Sequence, residues 1–266
     1  MFEEFYGFSK LPFTRNMPVP ELFTTPQQQE VLARLEYAAQ RRWFAVLTGD
    51  CGSGKSTLIR KLSEHLQQQD YRVLYLADSQ LTPRHFYNGV LQQLGVEGCF
   101  YRGDAKRKLH REIELLVTIQ KLKPVVIVDE SHLLEKEMLE ELRFLLNFHI
   151  DSDSPLALIL VGQSELLDKL RRQIYTAIEQ RVHLKCYNPY LDEAQTVAYI
   201  RHHLQYANSI SEIFSELAVS EIFRYSAGSA RLINKACTHC LMYGTQQNKK
   251  ILDDALCRFV IEQELL

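Results

Sequence analysis

The chain has 266 residues, 46% of them hydrophobic and 24% charged, with a formal net charge of −2. That length buries a sizeable core in one large domain or a large one with a small appendage, and the composition is that of a globular protein. The near-neutral charge excludes a global basic field, so contact with nucleic acid has to come from a local patch or from several subunits together. No apolar run approaches the roughly 20 residues that span a bilayer. The acidic start Met1-Phe2-Glu3-Glu4 lacks the order of a signal peptide, so the expected location is the cytoplasm, with no membrane partner.

Residues 1–25 carry Phe5-Tyr6-Gly7-Phe8 and Leu11-Pro12-Phe13 and read as an ordered arm. Val31, Leu32, Leu35 and Ala39 then recur at helical spacing within Pro26 to Ala39. The apolar run Trp43 to Leu47 predicts a strand, and Thr57 to Leu62 predicts a helix. Between them Gly49-Asp50-Cys51-Gly52-Ser53-Gly54-Lys55-Ser56 matches the phosphate-loop pattern G-x-x-x-x-G-K-[ST] in full, with Thr57 following. Glycines let successive backbone N–H groups turn toward phosphate oxygens, and the helix N-terminus adds partial positive charge. Lys55 is placed to reach the β- and γ-phosphates, and the Ser56 hydroxyl to ligate magnesium. The loop predicts a bound nucleotide and leaves open what its energy is used for.

Arg72 to Ala77 predicts a second strand, and Thr82 to Leu94 a helix. Gly95 to Asp104 reads as a loop, followed by a helix with Leu109, Ile113, Leu116 and Ile119 on one stripe. Pro124 opens the strand Val125 to Val128, continuously apolar as in a strand covered on both faces. That strand delivers Asp129 and Glu130 at its C-terminal end, where ligands sit in such sheets. Asp129 is the candidate magnesium ligand, and Glu130 the candidate to polarise the attacking water. Asp129-Glu130-Ser131-His132 is also similar to the D-E-x-H box of helicases. That reading needs a second motor domain, which a helical region of about 80 residues does not supply.

A helix with Leu134, Met138, Leu142 and Leu145 comes next, then the polar turn Asp151 to Pro155 and the strand Leu156 to Val161. This strand is expected beside the Asp129 strand, with Gln163 near the γ-phosphate and able to hydrogen-bond the water. Val182 to Cys186 predicts a last strand. Of Arg171, Arg172 and Arg181, the last is the preferred candidate for an arginine finger acting on a neighbouring subunit.

Strands alternate with helices up to about residue 187, which predicts an α/β domain of three layers around a parallel sheet over 26–187. From 188 to 266 the pattern is helical. Asp192 with Gln195 suggests a capping box, and helices are expected over Phe214 to Tyr225, Ala230 to Tyr243 and Asp253 to Glu264, with Gly228 and Gly244 as breaks. Arg231 opens one of these helices and is a candidate to report nucleotide state to the helical domain. The six cysteines are scattered, one of them in the phosphate loop. Cys237-Thr238-His239-Cys240 lacks a second ligand pair and reads as packed thiols.

Together these segments resemble the AAA+ ATPases of the ExeA type. They are Phe5 to Phe8 with Pro12-Phe13, Thr48 to Thr57, Val128 to Leu134, Leu160 to Gln163 and Arg231 to Asn234. The resemblance implies a P-loop AAA+ fold with a small helical lid, and hydrolysis of ATP with Mg2+ at the interfaces of a ring or helical homo-oligomer. It supports Gln163 and Arg231 as the two sensors and Arg181 as the finger. One branch energises assembly of a secretion channel and usually continues into a membrane span and a peptidoglycan-binding domain, neither of which is expected in a chain ending at Leu266. The other resembles the transposition ATPases of the MuB, IstB and TnsC kinds, which coat duplex DNA and recruit or activate a transposase. The sequence is therefore expected to belong to the second, with a transposase, integrase or target-selector protein as partner. The alternatives are the secretion branch and a nucleotide-gated protein-interaction switch. Candidate DNA contacts are Arg102, Lys106, Arg107, Lys108 and Arg111 around a helix start, with Arg84. Sequence-specific readout is not expected, since no helix-turn-helix or zinc finger is evident.

Overall fold

A computed structural model describes residues 2–78, 81–145, 154–209 and 212–265. Of the polar turn expected at 151–155, Asp151, Ser152 and Asp153 lie outside the described residues, as do Met1 and Leu266. In chain order the elements are α1 (Phe2–Tyr6), α2 (Pro26–Arg41), β1 (Phe44–Thr48), α3 (Lys55–Gln67), β2 (Tyr71–Leu76), α4 (Pro83–Gln93) and α5 (Arg102–Thr118). There follow β3 (Lys123–Val128), α6 (Lys136–Leu145), β4 (Ala157–Gly162), α7 (Glu165–Leu170), α8 (Thr176–Glu179) and β5 (Leu184–Tyr187). The last four are α9 (Glu193–Tyr206), α10 (Glu216–Ser226), α11 (Ala230–Gln246) and α12 (Asp254–Val260).

The chain divides into two compact units. One holds Pro26–Gly49 and Lys55–Asn188 around a parallel sheet of order β2-β3-β4-β1-β5. Residues of each strand alternate between its two faces. Val126, Val128, Leu158 and Leu160 enter a core with Phe86, Leu109, Met138 and Leu142, from α4, α5 and α6. Val125, Ile127, Ala157 and Ile159 enter another with Leu35, Leu58 and Leu62, from α2 and α3. With helices on both faces the central strands are buried apart from Lys123 at the start of β3, which is why they read as continuous apolar runs. The register pairs Leu76 with Val128, Val128 with Leu160, and Thr48 with Gly162, so the strands' C-terminal ends emerge along one edge.

The other unit comprises 1–25, Asp50–Gly54 and Pro189–Leu266. Its core joins Phe8 and Phe13 of the N-terminal arm to Leu191, Ile200, Ile222, Ile233, Cys237, Cys240 and Cys257. The expected capping box is present: the Asp192 side chain accepts from the Gln195 N–H, and the Gln195 side chain accepts from the Asp192 N–H. Gly244 does not break the chain as expected, because α11 runs through it to Gln246. A Cβ there would lie 2.4 Å from both the Tyr6 hydroxyl and Leu252 Cδ2, so this glycine serves close packing rather than a turn. Other expectations shift by a few residues: α5 already begins at Arg102, α10 begins at Glu216 behind the Ser215 cap, and β5 occupies Leu184–Tyr187.

Candidate nucleotide-binding site

In the sheet unit, β1 ends at Thr48, and α3 begins at Lys55 itself rather than at Thr57. The Lys55 ammonium donates to the Gly49 carbonyl at 2.8 Å, and Ser56 stands exposed beside it. Both therefore occupy the first turn, where unpaired N–H groups and the helix dipole favour an anion.

The intervening residues Asp50–Gly54 group with the helical unit. Gly52 and Gly54 have φ of +84° and +96°, a region that side-chain-bearing residues avoid. The Cys51 carbonyl accepts from the Tyr190 hydroxyl at 2.9 Å, and the Arg231 guanidinium lies 3.0 Å from Cys51 Sγ. A Cβ on Gly52 would come within 2.4 Å of Ser229 Oγ and 3.1 Å of Arg231 Cβ. Thus the Gly228-Ser229-Ala230-Arg231 segment packs directly on Cys51 and Gly52, and Arg231 is exposed at that contact.

Asp129 follows β3 and is buried, its N–H continuing the ladder to the Leu76 carbonyl at 2.7 Å. One carboxylate oxygen accepts the Glu130 N–H at 2.8 Å and the other accepts the Tyr75 hydroxyl at 2.7 Å. Burial, then the hydrogen bond to Asp129 and the charges of Asp129 and Glu130, hold the Tyr75 phenol far above its usual range. It is a donor at neutral pH. Glu130 takes left-handed backbone angles, φ 51° and ψ 31°, and its side chain is half exposed. The Ser131 hydroxyl donates to the Val128 carbonyl at 2.7 Å and folds the chain back into the one-turn helix Ser131–Leu133.

β4 pairs with β3, as expected, and Gln163 follows it, half buried. The nearly buried His132 lies between the two: its Nδ1 is 3.5 Å from Glu130 Oε2 and accepts the Gln163 main-chain N–H at 3.5 Å. The Lys169 ammonium donates to the His132 carbonyl at 3.1 Å and to the Leu134 carbonyl at 2.5 Å, fixing this turn. The structure thus brings Asp129, Glu130 and Gln163 together through contacts that sequence reading did not supply. Tyr75 and Tyr190 carried no motif, and His132 entered only as part of the helicase-like box.

The remaining arginines are differently placed. Arg181 is half buried behind α8 and donates to the Arg143 carbonyl at 3.4 Å. Arg171 pairs with Asp168 at 3.2 Å. The basic group at 102–111 is not the uniform cationic face its sequence suggests. Arg102 pairs with Glu137 at 2.6 Å and with Glu141, and Lys106 pairs with Glu141 at 2.8 Å. Glu141 is buried and also accepts the Tyr87 hydroxyl. Burial alone would raise this carboxyl, but the hydrogen bonds from Lys106, Tyr87 and Arg102 outweigh it and leave the group below its usual range. Arg107 pairs with Asp104, and Lys108 donates to the Glu97 carbonyl at 2.8 Å. Arg84 lies 5.5 Å over the Phe100 ring, and Arg111 is exposed.

Cys237, Cys240 and Cys257 are buried free thiols, and among the described residues no cluster of three or more His, Cys, Asp or Glu is arranged to hold a metal. No helix among the described residues is long and apolar enough to cross a membrane.

Residues 38–170 match the family model described as an AAA domain. General secretion pathway protein A of Aeromonas hydrophila is 32% identical over 247 residues, covering 91% of this chain. The chain spans 44% of that relative's length. Among solved structures, Cdc6p from Pyrobaculum aerophilum superposes with a TM-score of 0.72 at 16% identity, over 90% of this chain and 67% of that one. Drosophila ORC bound to DNA gives 0.67 at 18%, over 98% and 64%. The Thermotoga maritima RuvB Holliday junction branch migration motor gives 0.62 at 18%, over 94% and 72%. At such identities the structural matches speak for the fold.

Proposed function

The chain belongs to the AAA domain family, and on that footing we propose that it binds ATP with Mg2+ and hydrolyses it. The observation that carries this reading is that Asp129 and Glu130 follow β3 and Gln163 follows the paired β4, with His132 between the Glu130 carboxylate and the Gln163 main chain. Asp129 and Ser56 are the residues to hold magnesium. The donor set fits a hard, oxygen-preferring cation, since Asp129 is a buried carboxylate kept in place by two hydrogen bonds. The metal, when bound, neutralises charge on the phosphates.

Lys55 and the N–H groups of Gly49 to Thr57 cradle those phosphates. Glu130, half exposed and left-handed, presents its carboxylate to the water, which Gln163 orients. Arg231, seated on Cys51, reports the state of the loop to α11. Arg181 is assigned to the neighbouring subunit's γ-phosphate, which requires it to leave the Arg143 carbonyl when the homo-oligomer assembles.

The work done is proposed to be ATP-dependent assembly on duplex DNA, in a ring or filament that recruits or activates a transposase, integrase or target selector in the cytoplasm. Arg84, Arg107, Lys108 and Arg111 are its DNA contacts. Arg102 and Lys106 contribute less, because Glu141 already engages them. A second reading, an envelope or secretion ATPase, is favoured by the likeness to General secretion pathway protein A.

Electron microscopy and filter binding with duplex DNA in ATP, ADP or no nucleotide separate the two. Assemblies on DNA only with ATP support the first, and indifference to DNA in all three conditions overturns it in favour of the second.

A further inference from the structure

Tyr75 does more than fill the outer edge of the sheet. Among the described residues β2 is the terminal strand of the sheet, with no strand beyond its outward backbone groups. At Tyr75 a side chain from α4 takes that place. The Tyr75 N–H donates to Gln93 Oε1 at 2.9 Å, and Gln93 Nε2 donates to the Tyr75 carbonyl at 2.6 Å. The Arg72 guanidinium donates to the Gln93 main-chain carbonyl at 2.6 Å, anchoring the end of α4 to the same strand. The backbone of Tyr75 is thereby clamped, and its hydroxyl reaches Asp129 Oδ2 at 2.7 Å, 54 residues away in sequence.

The torsion that sets a carboxylate's plane is soft, so a carboxylate held at one oxygen alone samples many orientations. Asp129 is held at both, by the Glu130 N–H and by Tyr75. A hydroxyl–carboxylate bond is charge-assisted and among the stronger kinds.

We propose that Tyr75, clamped by Gln93, is a positioning residue for the magnesium acid: its hydroxyl holds Asp129 in the one orientation that receives the nucleotide-bound cation. The inference rests on the ATP–magnesium reading of this site and adds a residue to it that lies outside both sequence motifs. Partners that orient metal-ligating groups commonly account for about 10–100-fold in metal affinity.

The test is equilibrium binding of a fluorescent ATP analogue to the full chain as magnesium is titrated from a chelated start, for wild type, Tyr75→Phe and Gln93→Ala. Melting temperatures are recorded alongside. In Tyr75→Phe the magnesium concentration for half-maximal effect rises about tenfold, while affinity in chelator stays within twofold of wild type. Gln93→Ala shifts the curve in the same direction by less, since the hydroxyl remains. Superimposable magnesium curves for wild type and Tyr75→Phe overturn the inference alone. A fall in melting temperature without a shift in the curve assigns Tyr75 a purely structural role and also overturns it. A wild-type chain that binds no nucleotide with or without magnesium overturns the ATP reading itself, and this inference with it.

Discussion

Lowering the pH should loosen the N-terminal arm through one histidine. His203 on α9 is 3% exposed, and its Nδ1 accepts the Phe13 N–H at 3.1 Å while its ring stacks on Phe13 at 5.2 Å. Tyr199 and His202 are the other titratable rings against it. Burial, aided by charge on His202, pushes its pKa down to about 3 from an ordinary 6.5. The folded protein thus requires the neutral ring, and the unfolded chain takes up the proton first. The stabilisation is complete above about pH 6.5 and is lost progressively as pH falls toward about 3. At about pH 5, some 1.5 units below the unfolded value at about 1.36 kcal/mol per unit, roughly 2 kcal/mol is gone. If the arm opens locally, protection of the Phe13 amide should fall about 30-fold between about pH 7.5 and 5, once the intrinsic exchange rate is divided out. Hydrogen exchange read by mass spectrometry on the arm peptide measures this. In His203→Gln, whose amide oxygen accepts the same bond without titrating, the pH dependence should vanish. An equal fall in that variant, or none in wild type, refutes the reasoning.

Gly228→Ala should be among the most damaging single changes in the helical unit. Its φ is +82°, and an added Cβ would sit 1.8 Å from the Leu191 carbonyl oxygen, so backbone has to move. A loss of about 4 kcal/mol or more is expected in denaturant unfolding, and a loss below about 1 kcal/mol contradicts the packing described. Glu141→Ala leaves the buried Tyr87 hydroxyl without its acceptor and removes one carboxylate partner from Arg102 and Lys106, with an expected cost of about 1–3 kcal/mol by the same measurement. Because that change also removes a negative charge beside α5, it should strengthen rather than weaken any DNA binding at low salt, and weaker binding would count against α5 as the DNA face. Glu130→Gln should keep ATP affinity and lose turnover by at least about 100-fold in a phosphate-release assay, and retained turnover removes Glu130 from the mechanism.

The phosphate loop and the Asp129-Glu130 pair were legible because each is a local pattern. A buried strand announces itself as an apolar run, and the chemistry follows within a few residues of its end. The place of β4 beside β3 was expected as well, and the two strands pair. Contacts between distant segments were not legible. Nothing in the spacing of Tyr75 marks Asp129 as its partner, and the basic run at 102–111 gives no sign that Glu141, on another helix, takes up two of its charges. Gly244 misled because glycine is read as a break, whereas a missing side chain equally suits close approach. The arm's aromatic residues declared that it was ordered, but not that Phe8 and Phe13 would complete the helical core.

The clamp at the outer strand has a consequence for solubility and assembly. A bare strand edge is a template onto which another chain adds by backbone pairing, the route to sheet extension and aggregation. By presenting its own amide group to Tyr75, Gln93 offers the edge an in-built substitute for a foreign strand, and Tyr75 has no backbone hydrogen bond left to give there. At this position of the β2 edge, a foreign strand would have to displace Gln93 before it could pair, which makes sheet extension there less favourable than on a bare edge.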